Sequence, residues 1–114
     1  MEIDIQSTQD RCWLVRLRGD LRGESGPLIQ QELHPLLGER DSAMVLDLSD
    51  VGMVDSRGLS QLISLATHAR LSQARVVLVA PTPFVAGVFK MTKLDAWFEI
   101  TEDVAQAWKG MGKE

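Results

Sequence analysis

Two short runs, AMVLDL at 43–48 and RVVLVA at 75–80, are apolar at consecutive positions rather than alternate ones. A strand of that kind needs cover on both faces, which is the situation of a parallel sheet with helices packed against it. Between the runs, taken as a helix over 56–70, Leu59, Leu62, Ile63, Ala66 and Ala69 fall on one stripe. Arg57, Ser60, Gln61, Ser64, Thr67, His68 and Arg70 populate the remainder. Strand, amphipathic helix, strand is a βαβ unit. With 114 residues, the chain has room for one compact domain around that unit, so 1–114 is expected to fold as a single domain.

The flanking sequence extends the same alternation. EIDIQ is a short alternating run, and CWLVRLR sets Trp13, Val15 and Leu17 against Leu14, Arg16 and Arg18, the period of a strand with one buried face. These two are expected to be a hairpin or neighbours. After the breaker GDLRGESGP, Leu28, Ile29, Leu33, Leu36 and Leu37 recur at helical spacing, with Ser25 as cap, Pro27 in the first turn and a kink at Pro35. Thr82 and Pro83 open a further helix whose apolar face is Phe84, Val85, Val88 and Phe89. WFEI reads as a brief strand. TEDVAQAWKGM reads as a last helix capped by Thr101, with acids in its first turn and Lys109 near its end. The order ββαβαβαβα predicts an α/β fold: a mixed, mostly parallel sheet of about five strands with four helices.

Composition narrows the function classes. A net charge of −4 and a pI near 5.1 disfavour nucleic acid and anionic membranes as partners and favour a protein. Cys12 is the only cysteine, and with His34 and His68 it offers no disulfide and no zinc spacing, so neither metal nor cofactor is expected. The N-terminal MEIDIQST has no basic leader pattern, and no apolar run approaches the ~18 residues of a membrane span. A cytoplasmic, monomeric protein is expected.

The functional question centres on VDSRGL at 54–59, where a strand gives way to a helix. Ser56 stands at the helix N-terminus, at the carboxyl end of the strand, where open α/β sheets place their ligand sites. Serine and aspartate are common caps, but Asp55 can cap without Ser56. No capping box begins at either residue, since Gly58 and Leu59 stand where Glu or Gln would complete one. The Ser56 hydroxyl is then left over. A nucleophile elbow, G-x-S-x-G, fails at Val54. His68 lies more than three turns further along the same helix and, like His34, reads as a solvated surface histidine. No phosphate-binding loop motif occurs. These observations argue against an enzyme.

VLDLSDVGMVDSRGLSQLISL resembles the central segment of STAS domains of the anti-sigma factor antagonist family, VDSRGL carrying its D-S-x-G-L signature. LRGDL at 17–21 resembles that family's turn after the second strand, and APTPFVAGVFKMTKLDAWFEITEDVAQA its closing segment. The resemblance implies a STAS fold and a partner-switching regulator without catalytic activity. It implies that Ser56 is phosphorylated by a serine kinase that is also the anti-sigma factor. The unphosphorylated antagonist binds that kinase, phosphorylation releases it, and a serine phosphatase resets it. The implied docking residues are Asp20, Leu21, Arg22, Met53, Asp55, Ser56, Arg57 and Gly58, with core packing the competing role for Val54. Arg57 and Arg22 depart from the family pattern. Either they pair with a phosphate on Ser56, or they are solvated surface arginines. The other readings are a STAS subunit of a transport complex that docks on an ATPase without phosphorylation, and, third, a serine hydrolase.

Overall fold

A computed structural model describes residues 1–113. Strand β1 (Glu2–Gln9) pairs antiparallel with β2 (Cys12–Arg18). The chain then runs through a 3-10 turn (Gly23–Ser25), helix α1 (Gly26–Glu32), a second 3-10 segment (His34–Leu37) and β3 (Ala43–Asp50). Helix α2 (Ser56–Leu71), β4 (Arg75–Val79), α3 (Pro83–Met91), β5 (Ile100–Thr101) and α4 (Val104–Gly110) complete it. The five strands lie in chain order, and β2 to β5 are parallel, as the alternation of elements predicts.

Because each parallel strand is laid beside its predecessor in the same direction, right-handed crossovers put α1, α2 and α3 on one face of the sheet. Only α4, which follows the last strand, reaches the other face. The two cores reflect this: Val15, Leu17, Met44, Leu46, Val76 and Leu78 pack with Ile29, Leu62 and Phe89, while Val45, Val77 and Val79 pack with Ala107. Consecutive apolar residues in β3 and β4 are therefore buried on alternate sides, as read from the sequence. Asp47 is the polar exception in β3, 6% exposed. Burial pushes its pKa up, but hydrogen bonds from Ser49 and from Arg16, together with the Arg16 charge, outweigh that and hold it below the usual carboxylate value.

Local departures from the sequence reading have identifiable causes. Pro35, lacking an N–H, ends α1 at Glu32 and the chain continues as the 3-10 segment rather than as a kinked helix. Ser25 does not cap α1; its hydroxyl accepts from the Arg22 N–H at 3.4 Å, closing the preceding turn. In α2 the buried stripe also takes in Leu65, and Ile63 sits at its margin. Thr82 and Pro83 do open α3, but Phe84 is 55% exposed and only Val85 and Phe89 are fully inside. Trp97 and Phe98 precede β5 instead of forming it: the buried Phe98 tilts against Phe89 with ring centroids 5.2 Å apart, and the half-buried Trp97 meets Phe98 edge to face at 5.1 Å, so Phe98 plugs the core and Trp97 covers it. Asp103, not Thr101, caps α4, its Oδ1 accepting from the Gln106 N–H at 2.8 Å; Glu102 and Asp103 precede the helix rather than lying in its first turn. No helix among the described residues is long and apolar enough to cross a membrane.

One contact sets the position of α2. The chain leaving β2 pairs in parallel with the chain leaving β3 at Leu21 and Val54, with Leu21 N–H donating to Met53 O at 2.9 Å and Asp55 N–H to Leu21 O at 3.2 Å. A Cβ on Gly58 would stand 2.0 Å from that same Leu21 oxygen, so the first turn of α2 approaches as closely as it does only because residue 58 has no side chain. Gly58→Ala is expected to lower stability by about 2 kcal/mol or more through displacement of backbone, read as a urea midpoint shift at unchanged m-value. Phe89→Ala is expected to cost ~3–5 kcal/mol and Phe84→Ala less than about 0.5 kcal/mol. Equal losses for the two phenylalanines in the same urea assay would contradict the placement of α3.

Candidate functional site

The loops at the carboxyl ends of β2, β3 and β4 meet around the start of α2. Besides the Leu21 contacts, Gly19 N–H donates to Asp50 O at 3.1 Å, and Thr82 Oγ1, the cap of α3, donates to Val51 O at 2.9 Å. The segment 51–55 is thus held from both sides by backbone and cap hydrogen bonds, and Val51 and Val54 are buried beneath it. Val54 is a core residue, which decides between its two candidate roles.

Asp55 is the N-cap of α2. Its backbone is extended (φ −95°, ψ −179°), and Oδ1 accepts from the Gly58 N–H at 2.8 Å while its carbonyl accepts from Leu59 N–H at 2.8 Å. Ser56 is therefore surplus to capping. It is exposed, its carbonyl accepts from the Ser60 hydroxyl at 3.0 Å, and its own hydroxyl makes no hydrogen bond among the described residues. The amides of Ser56 and Arg57 are the orphan donors at this helix end. They add to the positive end of a dipole spanning 16 residues.

The remaining predicted residues divide into two groups. Asp20, Arg22, Ser56 and Arg57 are exposed and Met53 and Asp55 half-buried, all around this helix end. Leu21 and Gly58 are buried, Leu21 at 0% exposure, and so do not present side chains for docking; they shape the surface from below. The arginines are not equivalent. Arg22 pairs with Asp20 at 3.0 Å, an exposed bridge worth little to stability. Arg57 has no ion pair among the described residues. Its side chain lies along the backbone of Gly23, where a Cβ would come within 2.7 Å of its Cδ and 3.3 Å of a terminal nitrogen. The two loops do adjoin, through Gly23.

Gln61 completes the arrangement and was not singled out from the sequence. Its Nε2 donates to Arg22 O at 3.1 Å and Gly23 O at 3.2 Å, tying the β2–α1 loop to α2, and Gly26 leaves room for it. The sequence marks Thr82 only as a helix cap, whereas its hydroxyl also donates to Val51 O. The available signal was the spacing: Gly23 and Gly26, three apart, face Arg57 and Gln61, four apart. That match appears only once the two segments are known to be adjacent.

The histidines also differ from the sequence reading. Neither is a solvated surface group: both are half-buried and stacked on one another, centroids 4.9 Å apart. His68 is twelve residues beyond Ser56, about 18 Å along the helix, so no imidazole stands beside the serine. No group of three or more His, Cys, Asp or Glu placed to hold a metal ion occurs among the described residues.

Comparison with known proteins agrees with this architecture. The STAS domain family profile matches residues 4–107. An anti-sigma factor antagonist from Mycobacterium paratuberculosis superposes with a TM-score of 0.83 at 20% identity, covering 98% of this chain and 94% of that one. The Bacillus anti-sigma factor antagonist SpoIIAA in its unphosphorylated form gives 0.78 at 15% identity, with 99% of each chain covered. Its phosphorylated form gives 0.67 at 15% identity, covering 90% of this chain and 93% of that one. The murine anion transporter Slc26a9 matches at 0.75 and 17% identity, over 89% of this chain but 18% of its own. At these identities the structural likeness establishes the fold, and the family profile spans most of the sequence. The chain belongs to the STAS domain family.

Proposed function

We propose that this STAS domain is an anti-sigma factor antagonist, a non-catalytic protein-binding regulator that docks on an anti-sigma factor serine kinase when unphosphorylated and is released when that kinase phosphorylates Ser56. A serine phosphatase resets it. The observation that carries this reading is the exposed, uncommitted Ser56 hydroxyl at the start of a long helix that Asp55 caps by itself. SpoIIAA, of the same fold, is known in both an unphosphorylated and a phosphorylated form, which supports a switch of the same kind here.

Physical chemistry makes the switch selective for docking. A phosphoryl group adds about −1.5 to −2 charge, and at a helix N-terminus the dipole and orphan amides accommodate it, so the fold is retained. The same charge inside a docked interface must be desolvated or face partner carboxylates. A loss of ~3 kcal/mol there weakens binding more than a hundredfold. Met53 supplies the apolar contact, and Asp20, Arg22, Asp55 and Arg57 the charged surround.

A second reading rests on the likeness to Slc26a9: the domain is an accessory of a transport complex, docks with the same face on an ATPase, and Ser56 is never phosphorylated. Incubation with the cognate kinase and ATP, followed by mass spectrometry, separates the two. Phosphate is expected on Ser56, absent in Ser56→Ala; Ser56→Glu is expected to bind the kinase about a hundredfold more weakly than wild type. Undiminished binding by Ser56→Glu together with no phosphate on Ser56 sinks the switch and leaves the transport reading. A further expectation concerns the arginine beside the serine. Swung from Gly23, Arg57 pairs with the phosphate and shields it, so Arg57→Ser is expected to be dephosphorylated faster; equal phosphatase rates would remove that role.

A further inference from the structure

Helix α1 and the 3-10 segment after it are strapped to α2 at two points by side chains of one α2 face. Gln61 holds the front end through the carbonyls of Arg22 and Gly23. Two turns on, His68 Nε2 lies 3.0 Å from the His34 carbonyl, and the two imidazoles stack at 4.9 Å with 23° between their planes. Between the straps an open groove of about 370 Å³ runs past Pro27 and Gln30 on one side and Ser64 on the other. Leu37, at the end of the 3-10 segment, is fully buried, so the rear strap closes a piece of the core.

The geometry restricts how many protons the pair can hold. A carbonyl partner requires Nε2 of His68 to carry hydrogen, leaving Nδ1 as its basic site. A proton there keeps the hydrogen bond and sets a cation against a neutral ring, a favourable contact. A second proton, on His34, sets two cations face to face in a half-buried site. Burial, and then the charge of His68, hold the His34 pKa below its ordinary 6.5. Among the described residues no acid pairs with His34: Glu32, at the end of α1, is exposed to solvent. The α1 side of the groove offers uncharged Pro27, Ile29 and Gln30, and Gln61 and Ser64 of α2 are neutral. Glu39, beyond the 3-10 segment, faces Arg11 at 3.5 Å, and the Arg70 guanidinium of α2 lies 3.9 Å over Trp97.

We propose that the His34–His68 stack is an acid-released latch: with one proton it stays closed, and a second proton, on His34, frees the 3-10 segment from α2. Gln61 meanwhile keeps the front of α1 in place beside the Ser56 loop. The sign follows from linkage. The closed state binds fewer protons at His34 than the open one, so the latch holds fully above pH 6.5 and weakens as pH falls from there through the lower pKa of the closed state.

Histidine resonances and amide-exchange protection factors, followed by NMR from about pH 7.5 to 5, test this. His34 is expected to titrate below its ordinary 6.5. The Leu33 and Leu36 amides, which donate to Ile29 O and Leu33 O, are expected to lose about tenfold in protection for each pKa unit of His34 depression. The β3 and β4 amides are expected to stay protected. His34→Phe keeps a stacked ring and the backbone carbonyl, and its protection should not change with pH. In His68→Gln, which keeps a donor but no charge, the His34 midpoint should rise towards 6.5. Flat protection in wild type, an unchanged acid loss in His34→Phe, or an unmoved His34 midpoint in His68→Gln would each overturn the latch.

Discussion

The carbonyl of Leu21 is the point on which the site depends. It accepts the Asp55 N–H, and it occupies the space that a Cβ of residue 58 would need. The start of α2 is consequently positioned by backbone from the preceding crossover, not by side chains that tolerate adjustment. The residues of DSRGL are held to distinct physical roles as a result. Asp55 caps, Gly58 clears the carbonyl, Leu59 enters the core, and Arg57 lies over Gly23. Ser56 alone has no structural role. An exposed side chain that the fold does not use can be modified without disturbing the fold.

That independence matters because the magnitudes are unequal. A cap is worth ~1 kcal/mol to the helix, and losing it to phosphorylation would couple the switch to stability. Here the cap belongs to Asp55, so a charge on Ser56 acts on the surface. The surrounding exposed ion pairs contribute little to folding. They set instead the field that an approaching partner meets, and with Arg22 occupied by Asp20, Arg57 is the cation of the pair left without an acid.

Much of the fold was legible because it rests on periodicity. Apolar runs covered on both faces identify β3 and β4, and alternation identifies β2 as a strand, although its second face is also partly covered, with Cys12 buried and Leu14 packed on the α4 side. What escaped the sequence depends on which of several apolar or polar neighbours wins a place. Phe84 and Phe89 look alike in sequence, yet only Phe89 meets Phe98. Thr101 and Asp103 are both good caps, and the choice fell to Asp103 because Thr101 was already committed to pairing with Val79. Leu21 read as an exposed turn leucine because its cover, α2, comes 35 residues later in the chain. The histidines read as solvated because stacking across α1 and α2 leaves no trace in local spacing. In the site, the serine and its cap were legible from the cap rules alone. The straps by Gln61 and Thr82 were not, since each side chain bonds to a backbone carbonyl, which any residue supplies.

These straps give α2 its mechanical character. It is held at its front by the Leu21 carbonyl, in its middle by Gln61, and at its rear by His68 and by Arg70, whose guanidinium lies over Trp97 and donates to the Trp97 carbonyl at 2.6 Å. Thr82 fixes the loop before it from the α3 side. A helix so restrained cannot shift or unwind by a turn at low cost, because several independent contacts would break together. In the proposed switch, its rigidity would lower the ordering cost of docking when Ser56 is unmodified. In that proposed switch it also means that, were a phosphoryl group attached to Ser56, neither the helix nor the loop could turn the charge away from a partner on that face. Rigid support of the site is thus what would let the proposed covalent change act at full strength on binding.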